Sequence, residues 1–238
     1  MKLAVSMPRG ARLLVLLLAA ALVAGALAPA SGTAFRTGKR IAVPGNPVDM
    51  LAGQPMDAQP YDYAAGCDPR PREGTKRLLT WLERNFKGFS YGAYRCEGTS
   101  LHSEWRAIDW GLDVRKPAQK REGARLIRLL LAPDKTGAPR ALARRMGVEE
   151  LIWDCSYWST SASRAPRDFS HYSVCSGSGV DPTAGHLDHI HIGITVAGSH
   201  ARTSFWRAGA DALAVPRRTG VDVGPALTGT PAGGLLAP

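Results

Sequence analysis

Two segments of the chain alternate hydrophobic and polar positions, which is the pattern of a β-strand with one buried face. Residues 107–114 alternate Ile, Trp, Leu and Val with small or acidic residues, Asp109 among them. Residues 189–196 alternate isoleucine and valine with His189, His191 and a glycine. Side chains at alternate positions share one face of a strand, so both strands can bury an apolar face while their polar residues point away from it.

Helical spacing appears in other parts of the chain. Residues 75–86 repeat apolar positions at the intervals of one helix face, and residues 122–131 and 140–146 predict two further helices. The apolar run 148–153 predicts another strand. Helices and strands mix without a regular βαβ order. We therefore predict an α+β fold with a small antiparallel sheet and flanking helices.

The first thirty residues have the pattern of a secretory signal peptide, with a basic start, an uncharged run and small residues at the end. The run of fifteen uncharged residues, 13–27, is shorter than the roughly 20 residues of a membrane span. We expect a secreted or cell-wall protein with no membrane span after cleavage, and the alternative is an uncleaved anchor. The predicted organisation is a signal peptide at 1–30, an extended lead-in or linker at 31–66, a folded domain at 67–207 and a mobile Ala/Gly/Pro-rich tail at 208–238.

Charge and cysteine content fit an exported protein. The net charge is +10, and removing the signal peptide with Lys2, Arg9 and Arg12 leaves +7. Such a protein meets anionic partners outside the cell, wall polymers among them. The four cysteines form no CxxC pair, which argues against a thiolate zinc site. Export favours two disulfides, and of the three possible pairings we predict Cys67–Cys96 with Cys155–Cys175, which closes the two smallest loops.

A group of histidines and acidic residues carries the candidate chemistry. His189 and His191 share the polar face of one strand, Asp109 lies on the polar face of the other, and His102 precedes Asp109 by seven residues. If the two strands are close, two imidazoles and one carboxylate converge, which is the ligand set of a catalytic zinc with one position left for water. This pattern predicts a zinc cleft on one sheet face. Proton transfer then needs a neighbouring group, for which the candidates are Asp188, His189 and His186. The alternative is a hydrogen-bonded histidine cluster without metal.

Two motifs resemble a known family. The pattern Ser100-x-His102-x-x-Trp105-x-Ala107-x-Asp109 resembles the first metal motif of the zinc peptidases that group D-alanyl-D-alanine carboxypeptidases, lysostaphin-like endopeptidases and hedgehog-type domains. The pattern His186-x-Asp188-His189-x-His191 resembles the second motif, and is most similar to that of the penicillin-insensitive murein endopeptidases. Residues 67–206 also resemble a secreted actinobacterial domain family.

The resemblance implies a role for each matching residue. It implies zinc ligation by His102, Asp109 and His191, with active-site roles for His186, Asp188 and His189. Whether Asp188 or His189 is the general base stays open. Adjacent strand residues point to opposite faces, so both reach the site only if the strand begins at His189.

One residue departs from the family pattern. Trp105 stands where the family usually has glycine, and its ring has to project somewhere, for instance over the cleft.

The leading hypothesis is a secreted Zn²⁺-dependent peptidase that cleaves peptide bonds in the stems or cross-links of bacterial peptidoglycan. Anionic cell-wall polymers are possible further partners. A non-catalytic wall- or glycan-binding module with a structural metal is the alternative. A secreted metal-dependent nuclease is a third reading, although the sequence has no recognisable nuclease motif around the histidines and we expect no specific nucleic-acid partner.

Overall fold

The structure, a computed structural model, describes residues 49–161, 170–212 and 215. The predicted signal peptide at 1–30 lies outside these residues, as does most of the predicted tail. Within the described ranges, no helix is long and apolar enough to span a membrane.

One antiparallel sheet forms the centre of the domain. Its strands are β1 (Phe89–Gly92), β2 (Ala107–Gly111), β3 (Val148–Trp153), β4 (Ser156–Ser159), β5 (Ser170–His171) and β6 (His189–Ile194). They lie in the order β1-β2-β6-β3-β4-β5, and every neighbouring pair is antiparallel. The two strands with the alternating pattern, β2 and β6, are therefore direct neighbours, and their register places Asp109 opposite His191.

Helices pack on the apolar face of this sheet. They are α1 (Glu73–Asn85), α2 (Pro117–Leu131), α3 (Ala141–Met146), α4 (Val196–Ser199) and α5 (Ser204–Arg207). Apolar residues of α1, α2 and α3 form one buried cluster with the apolar positions of β2, β3 and β6, and Trp81, Trp110 and Ile192 are almost completely buried in it. The α+β prediction with an antiparallel sheet and flanking helices is confirmed, and the polar strand positions are left on the opposite sheet face.

Several element ends differ from the predicted ones for local reasons. The predicted strand at 107–114 stops at Gly111, because the next residues bond to a loop: Leu112 donates its N–H to the Asp188 carbonyl. The predicted strand at 189–196 stops at Ile194, because the Thr195 side chain caps α4 by accepting from Gly198 N–H. Helix α2 begins five residues before its predicted start, at Pro117, whose fixed φ suits the first turn.

Residues 49–66 belong to the lead-in predicted at 31–66, and the structure places them against the core. The guanidinium of Arg145, which is fully buried, donates to the carbonyls of Leu51 and Gln54 at 2.7 and 3.0 Å. Asp62 donates its N–H to Glu149 Oε2 at 2.6 Å. The extended backbone thus satisfies its polar groups on the domain, and the domain begins earlier than residue 67.

The C-terminal boundary also shifts. Residues Ala210–Ala212 form a short 3-10 helix, and Asp211 pairs with Arg77 of α1. Val215 is buried and donates its N–H to Asn85 Oδ1 at 2.7 Å. The domain therefore extends past residue 207, the limit that composition predicts.

Both predicted disulfides are present, Cys67–Cys96 and Cys155–Cys175, with Cα atoms 5.4 and 5.7 Å apart. The first links the start of the domain to the segment that precedes His102. The second links the turn after β3 to the short helical turn Ser173–Cys175. Two disulfides and no free cysteine among the described residues fit an oxidising compartment.

Candidate metal centre

Three neighbouring elements position the predicted ligands. Asp109 lies in the middle of β2, and His191 lies directly across from it on β6. His102 lies on the 3-10 turn Leu101–Glu104, which begins where the Ser100 side chain accepts a hydrogen bond from His102 N–H. The side chains of all three residues are almost fully buried, on the sheet face away from α1, α2 and α3.

The three ligand atoms form a nearly equilateral triangle. His102 Nε2 lies 3.1 Å from Asp109 Oδ1 and 3.2 Å from His191 Nδ1, and His191 Nδ1 lies 3.2 Å from Asp109 Oδ1. Tetrahedral zinc holds nitrogen and oxygen ligands at about 2.0–2.2 Å, which puts two ligands about 3.3 Å apart. The spacing of this group therefore fits a single small cation. Nothing in the spacing identifies which metal it is.

Each of the three side chains uses its other polar atom to contact a neighbour. His102 Nδ1 donates to the Ala93 carbonyl at 3.3 Å, and Asp109 Oδ2 accepts from Arg95 Nη1 at 2.6 Å. His191 Nε2 lies 3.2 Å from Glu150 Oε1, in an ion-pair contact whose angle falls outside hydrogen-bond geometry. Such contacts fix the rotation of a ligand and select which ring nitrogen faces the metal.

The charges in the group are arranged to suit a cation. Burial by itself raises the pKa of Asp109, but the close contacts of its carboxylate with His102 and His191 outweigh it and hold that pKa well below its usual range. Burial lowers the pKa of His102, which favours the neutral imidazole that binds metals. Burial opposes a charge on His191 too, but Asp109 and Glu150 raise its pKa to about 9. Without a metal, His191 therefore carries a positive charge between the two carboxylates, and the Arg95 guanidinium supplies a second positive charge at Asp109.

The remaining predicted site residues surround the triangle. His189 Nε2 lies 3.6 Å from Asp109 Oδ1, and His189 Nδ1 donates to Asp188 Oδ1 at 2.7 Å. Strand β6 begins at His189, which is the condition under which both residues can reach the site. Asp188 also accepts from Thr183 Oγ1 at 2.8 Å, so its carboxylate is held in place against the imidazole.

His186 packs against the same group. Its ring centroid lies 4.6 Å from that of His189 and 5.9 Å from that of His191. Its Nδ1 donates to the Ala184 carbonyl at 3.2 Å, and burial, followed by the neighbouring His191 and His189, lowers its pKa to about 3. His186 is therefore a neutral ring at physiological pH.

Sequence reasoning missed two residues that contact the ligands, Arg95 and Glu150. Arg95 lies next to Cys96 and has no motif around it. Glu150 has a weak signal, because Glu149 and Glu150 are acidic residues inside the apolar strand 148–153, where a charge needs a partner. Only the register of β3 beside β6 shows that this partner is His191.

The Trp105 ring packs away from the ligand triangle. It lies parallel to the Tyr94 ring at 5.9 Å and packs against the cluster beneath the sheet. The backbone of Trp105 has φ 56°, in the left-handed region where glycine costs least. A tryptophan at this position therefore carries a backbone cost that a glycine would not.

Comparison with known proteins gives one finding. A family model described as "VldE, C-terminal domain" matches residues 65–187, just over half of the chain. The match includes His102, Asp109 and His186 and ends one residue before Asp188. No curated protein and no solved structure matches the chain significantly.

Proposed function

The chain belongs to the VldE C-terminal domain family, and we propose that this member is a secreted zinc-dependent peptidase that acts on the peptide part of bacterial peptidoglycan. The observation that carries the proposal is the triangle of His102, Asp109 and His191, with His189 at its edge. Two imidazoles and one carboxylate are a usual protein ligand set of catalytic zinc, and three ligands leave one position for water or substrate. When bound, the ion supplies Lewis acidity toward water and toward a peptide carbonyl.

His189 is the proposed general base. Its Nδ1 is committed to Asp188, so its Nε2 is the nitrogen that faces the group, 3.6 Å from Asp109 Oδ1. From there it can accept a proton from the attacking water and return that proton to the leaving amine. Asp188 then orients the ring and stabilises its charged form. Of the two candidates that the sequence leaves open, the proposal thus assigns proton transfer to His189 and orientation of its ring to Asp188.

The substrate class rests on three supports. The motifs resemble those of peptidases that act on peptidoglycan, the N-terminal sequence predicts export, and the basic mature chain suits an anionic wall. Two disulfides among the described residues agree with an extracellular location.

Zinc analysis of the purified full chain tests the metal. We expect one zinc per chain, and we expect none in His191→Ala. His171→Ala is the matched control, since His171 is an exposed histidine whose ring contacts Ser176. Equal zinc content in the parent chain and His191→Ala would refute the proposed site.

Digestion of purified muropeptides tests the reaction. Zinc-loaded protein should release new amine termini, a chelator should stop the release, and added zinc should restore it. Intact muropeptides under zinc-loaded conditions would defeat the peptidase proposal and favour a binding module with a structural metal. Nicking of plasmid DNA would instead support a nuclease.

Asp188→Asn tests the role given to His189. The variant should keep its zinc, because Asp188 contacts no ligand atom in the triangle, while cleavage should fall about 10- to 100-fold as the ring loses its carboxylate partner. Asp154→Asn is the control, since Asp154 pairs with Lys120 at the far end of β3. Unchanged cleavage in Asp188→Asn would show that His189 does not depend on Asp188.

A further inference from the structure

A segment ahead of the predicted domain reaches the candidate metal centre. We call residues 55–65 the strap. Gln59 Nε2 donates to the Val148 carbonyl at 2.5 Å, and the Pro60 carbonyl accepts from Thr160 Oγ1 at 2.9 Å. The strap therefore bonds to β3 and to Thr160, the residue that follows β4.

Tyr61 is the strap residue that matters for the centre. Its hydroxyl donates to Glu150 Oε2 at 2.7 Å, and the Tyr157 hydroxyl donates to the same oxygen at 3.0 Å. The other oxygen, Oε1, faces His191 Nε2 at 3.2 Å. Glu150 is 7% exposed, so these protein groups, and not bulk water, determine where its carboxylate points.

We propose that Tyr61 is a positioning residue of the metal centre: it holds the Glu150 carboxylate, which in turn fixes the ring of His191 with Nδ1 toward the metal. The inference rests on the proposed zinc site of the preceding section. By this inference the strap helps to position a metal ligand, although Tyr61 lies about forty residues before His102, the first ligand in the sequence.

The tautomer of His191 gives the physical reason. A neutral imidazole that binds metal through Nδ1 carries its proton on Nε2, and a carboxylate beside Nε2 stabilises that form. A Glu150 side chain free to rotate would lose this contact. Tyr61 and Tyr157 approach the same oxygen from two segments of the chain, so the carboxylate is held by hydrogen bonds to a charged acceptor, which are stronger than neutral ones.

Zinc affinity of the full chain, measured by competition with a chelating dye, is the test. Glu150→Gln should weaken zinc binding about 10- to 100-fold, and Tyr61→Phe about three- to tenfold. Tyr63→Phe is the matched control, because Tyr63 lies on the same strap but its hydroxyl lies 3.3 Å from Ser161 Oγ and not at Glu150. We expect Tyr63→Phe to bind zinc like the parent chain.

A double variant separates positioning from general damage to the fold. If Tyr61 acts through Glu150, adding Tyr61→Phe to Glu150→Gln weakens zinc binding no further. Co²⁺ in place of zinc supplies a second readout, since its visible absorption reports ligand geometry. Tyr61→Phe should change that spectrum at saturating Co²⁺, and Tyr63→Phe should not.

Two results would overturn the inference. One is a Tyr61→Phe chain that binds zinc as tightly as Tyr63→Phe. The other is that Tyr61→Phe lowers zinc affinity by the same factor in the parent chain and in Glu150→Gln. If Tyr61→Phe fails to fold, Tyr157→Phe tests the same hold on Glu150, because the Tyr157 hydroxyl donates to the same carboxylate oxygen. We expect the same loss of zinc affinity, about three- to tenfold. Failure of the proposed function gives a different result. If these variants change zinc affinity as expected but the zinc-loaded chain leaves muropeptides intact, the role of Tyr61 is supported and the peptidase proposal is refuted.

Discussion

His191 lies between two carboxylates, Asp109 and Glu150, and this position governs its proton. In the metal-free protein the two carboxylates raise the pKa of His191 to about 9, although burial opposes the charge. Because the folded pKa lies above the ordinary value near 6.5, this contribution to stability is complete below pH 6.5 and is lost as the pH rises through 9. A metal at Nδ1 has to displace this proton.

We predict that the apparent affinity for zinc rises with pH. Because one proton leaves His191 for each metal bound, apparent zinc affinity should increase about tenfold per pH unit between pH 7 and 9 and then level off. Competition with a chelating dye of known pH dependence measures it. An affinity that stays flat over this interval would mean that His191 is already neutral in the metal-free chain.

At Trp105 we predict that the usual order of stability of an alanine and a glycine substitution reverses. Alanine normally replaces a buried aromatic at lower cost than glycine, but a left-handed residue costs about 1 kcal/mol unless it is glycine. Both Trp105→Ala and Trp105→Gly lose the contacts with Tyr94 and the core, so both should be less stable than the parent chain. We expect Trp105→Gly to be the more stable of the two by about 1 kcal/mol.

Urea unfolding of the metal-free proteins measures this difference, and zinc content provides a check, since the ring packs away from the ligands. A Trp105→Ala protein more stable than Trp105→Gly would contradict the left-handed backbone at this position.

At the scale of elements, the contact of β6 with the turn that carries His102 depends on Gly193. A Cβ at this position would lie 2.5 Å from Leu101 Cδ1 and 3.0 Å from Glu150 Cβ. Leu101 is buried and precedes His102 directly. The missing side chain thus lets the turn pack against the sheet, close enough for His102 to meet Asp109 and His191.

We predict that Gly193→Ala costs about 1–3 kcal/mol of stability through overpacking and weakens zinc binding, because Leu101 and then His102 have to move. Gly66→Ala is the control, since a Cβ there meets nothing within 4 Å. Thermal unfolding and zinc titration of the two variants measure the effects. If Gly193→Ala matched Gly66→Ala in both, the turn would have another place to pack.

The elements also show how far the sequence alone could go. A continuous apolar run predicted residues 148–153 as a strand with the bounds that the structure has, and period-two alternation placed Asp109 and His191 on polar strand faces. Neither signal found β1, because Phe89–Gly92 is too short to show a period.

The contacts of the ligands were harder to predict than the ligand residues. His102, Asp109 and His191 occur in recognisable spacings, whereas Arg95, Glu150 and Tyr61 are isolated residues. Each of these three reaches its partner at the site only through tertiary contacts, such as the pairing of β3 with β6. Local periodicity carries no information on which strands become neighbours. The acidic pair in the apolar run 148–153 was therefore the one weak signal for these contacts, and it did not identify their partners.

At the scale of the whole molecule, residues 49–66 determine where the folded unit begins. Arg145 is fully buried, and the backbone carbonyls of Leu51, Gln54 and Pro55 accept from its guanidinium. Arg106 is also buried, and it donates to the Asp62 carbonyl. Removing this stretch would leave buried charged groups without those acceptors, which costs several kcal/mol.

We therefore predict that a chain beginning at Cys67 is strongly destabilised relative to a chain beginning at Asp49. Circular dichroism melting of the two truncated chains measures this, with zinc content as a second readout. A chain from Cys67 that folds and cleaves muropeptides would show instead that the preceding stretch is a removable pro-segment.

The separation of the ligands along the chain has a consequence for when the site can fill. His102 and His191 are 89 positions apart, and β6, the central strand that carries His191, follows every other strand among the described residues. A polypeptide leaving the ribosome, or passing an export channel as proposed, exposes Asp109 long before its partner on β6 exists. If the proposed metal site is filled, the ion can therefore bind only after nearly the whole domain has emerged, when the sheet that carries Asp109 and His191 can form.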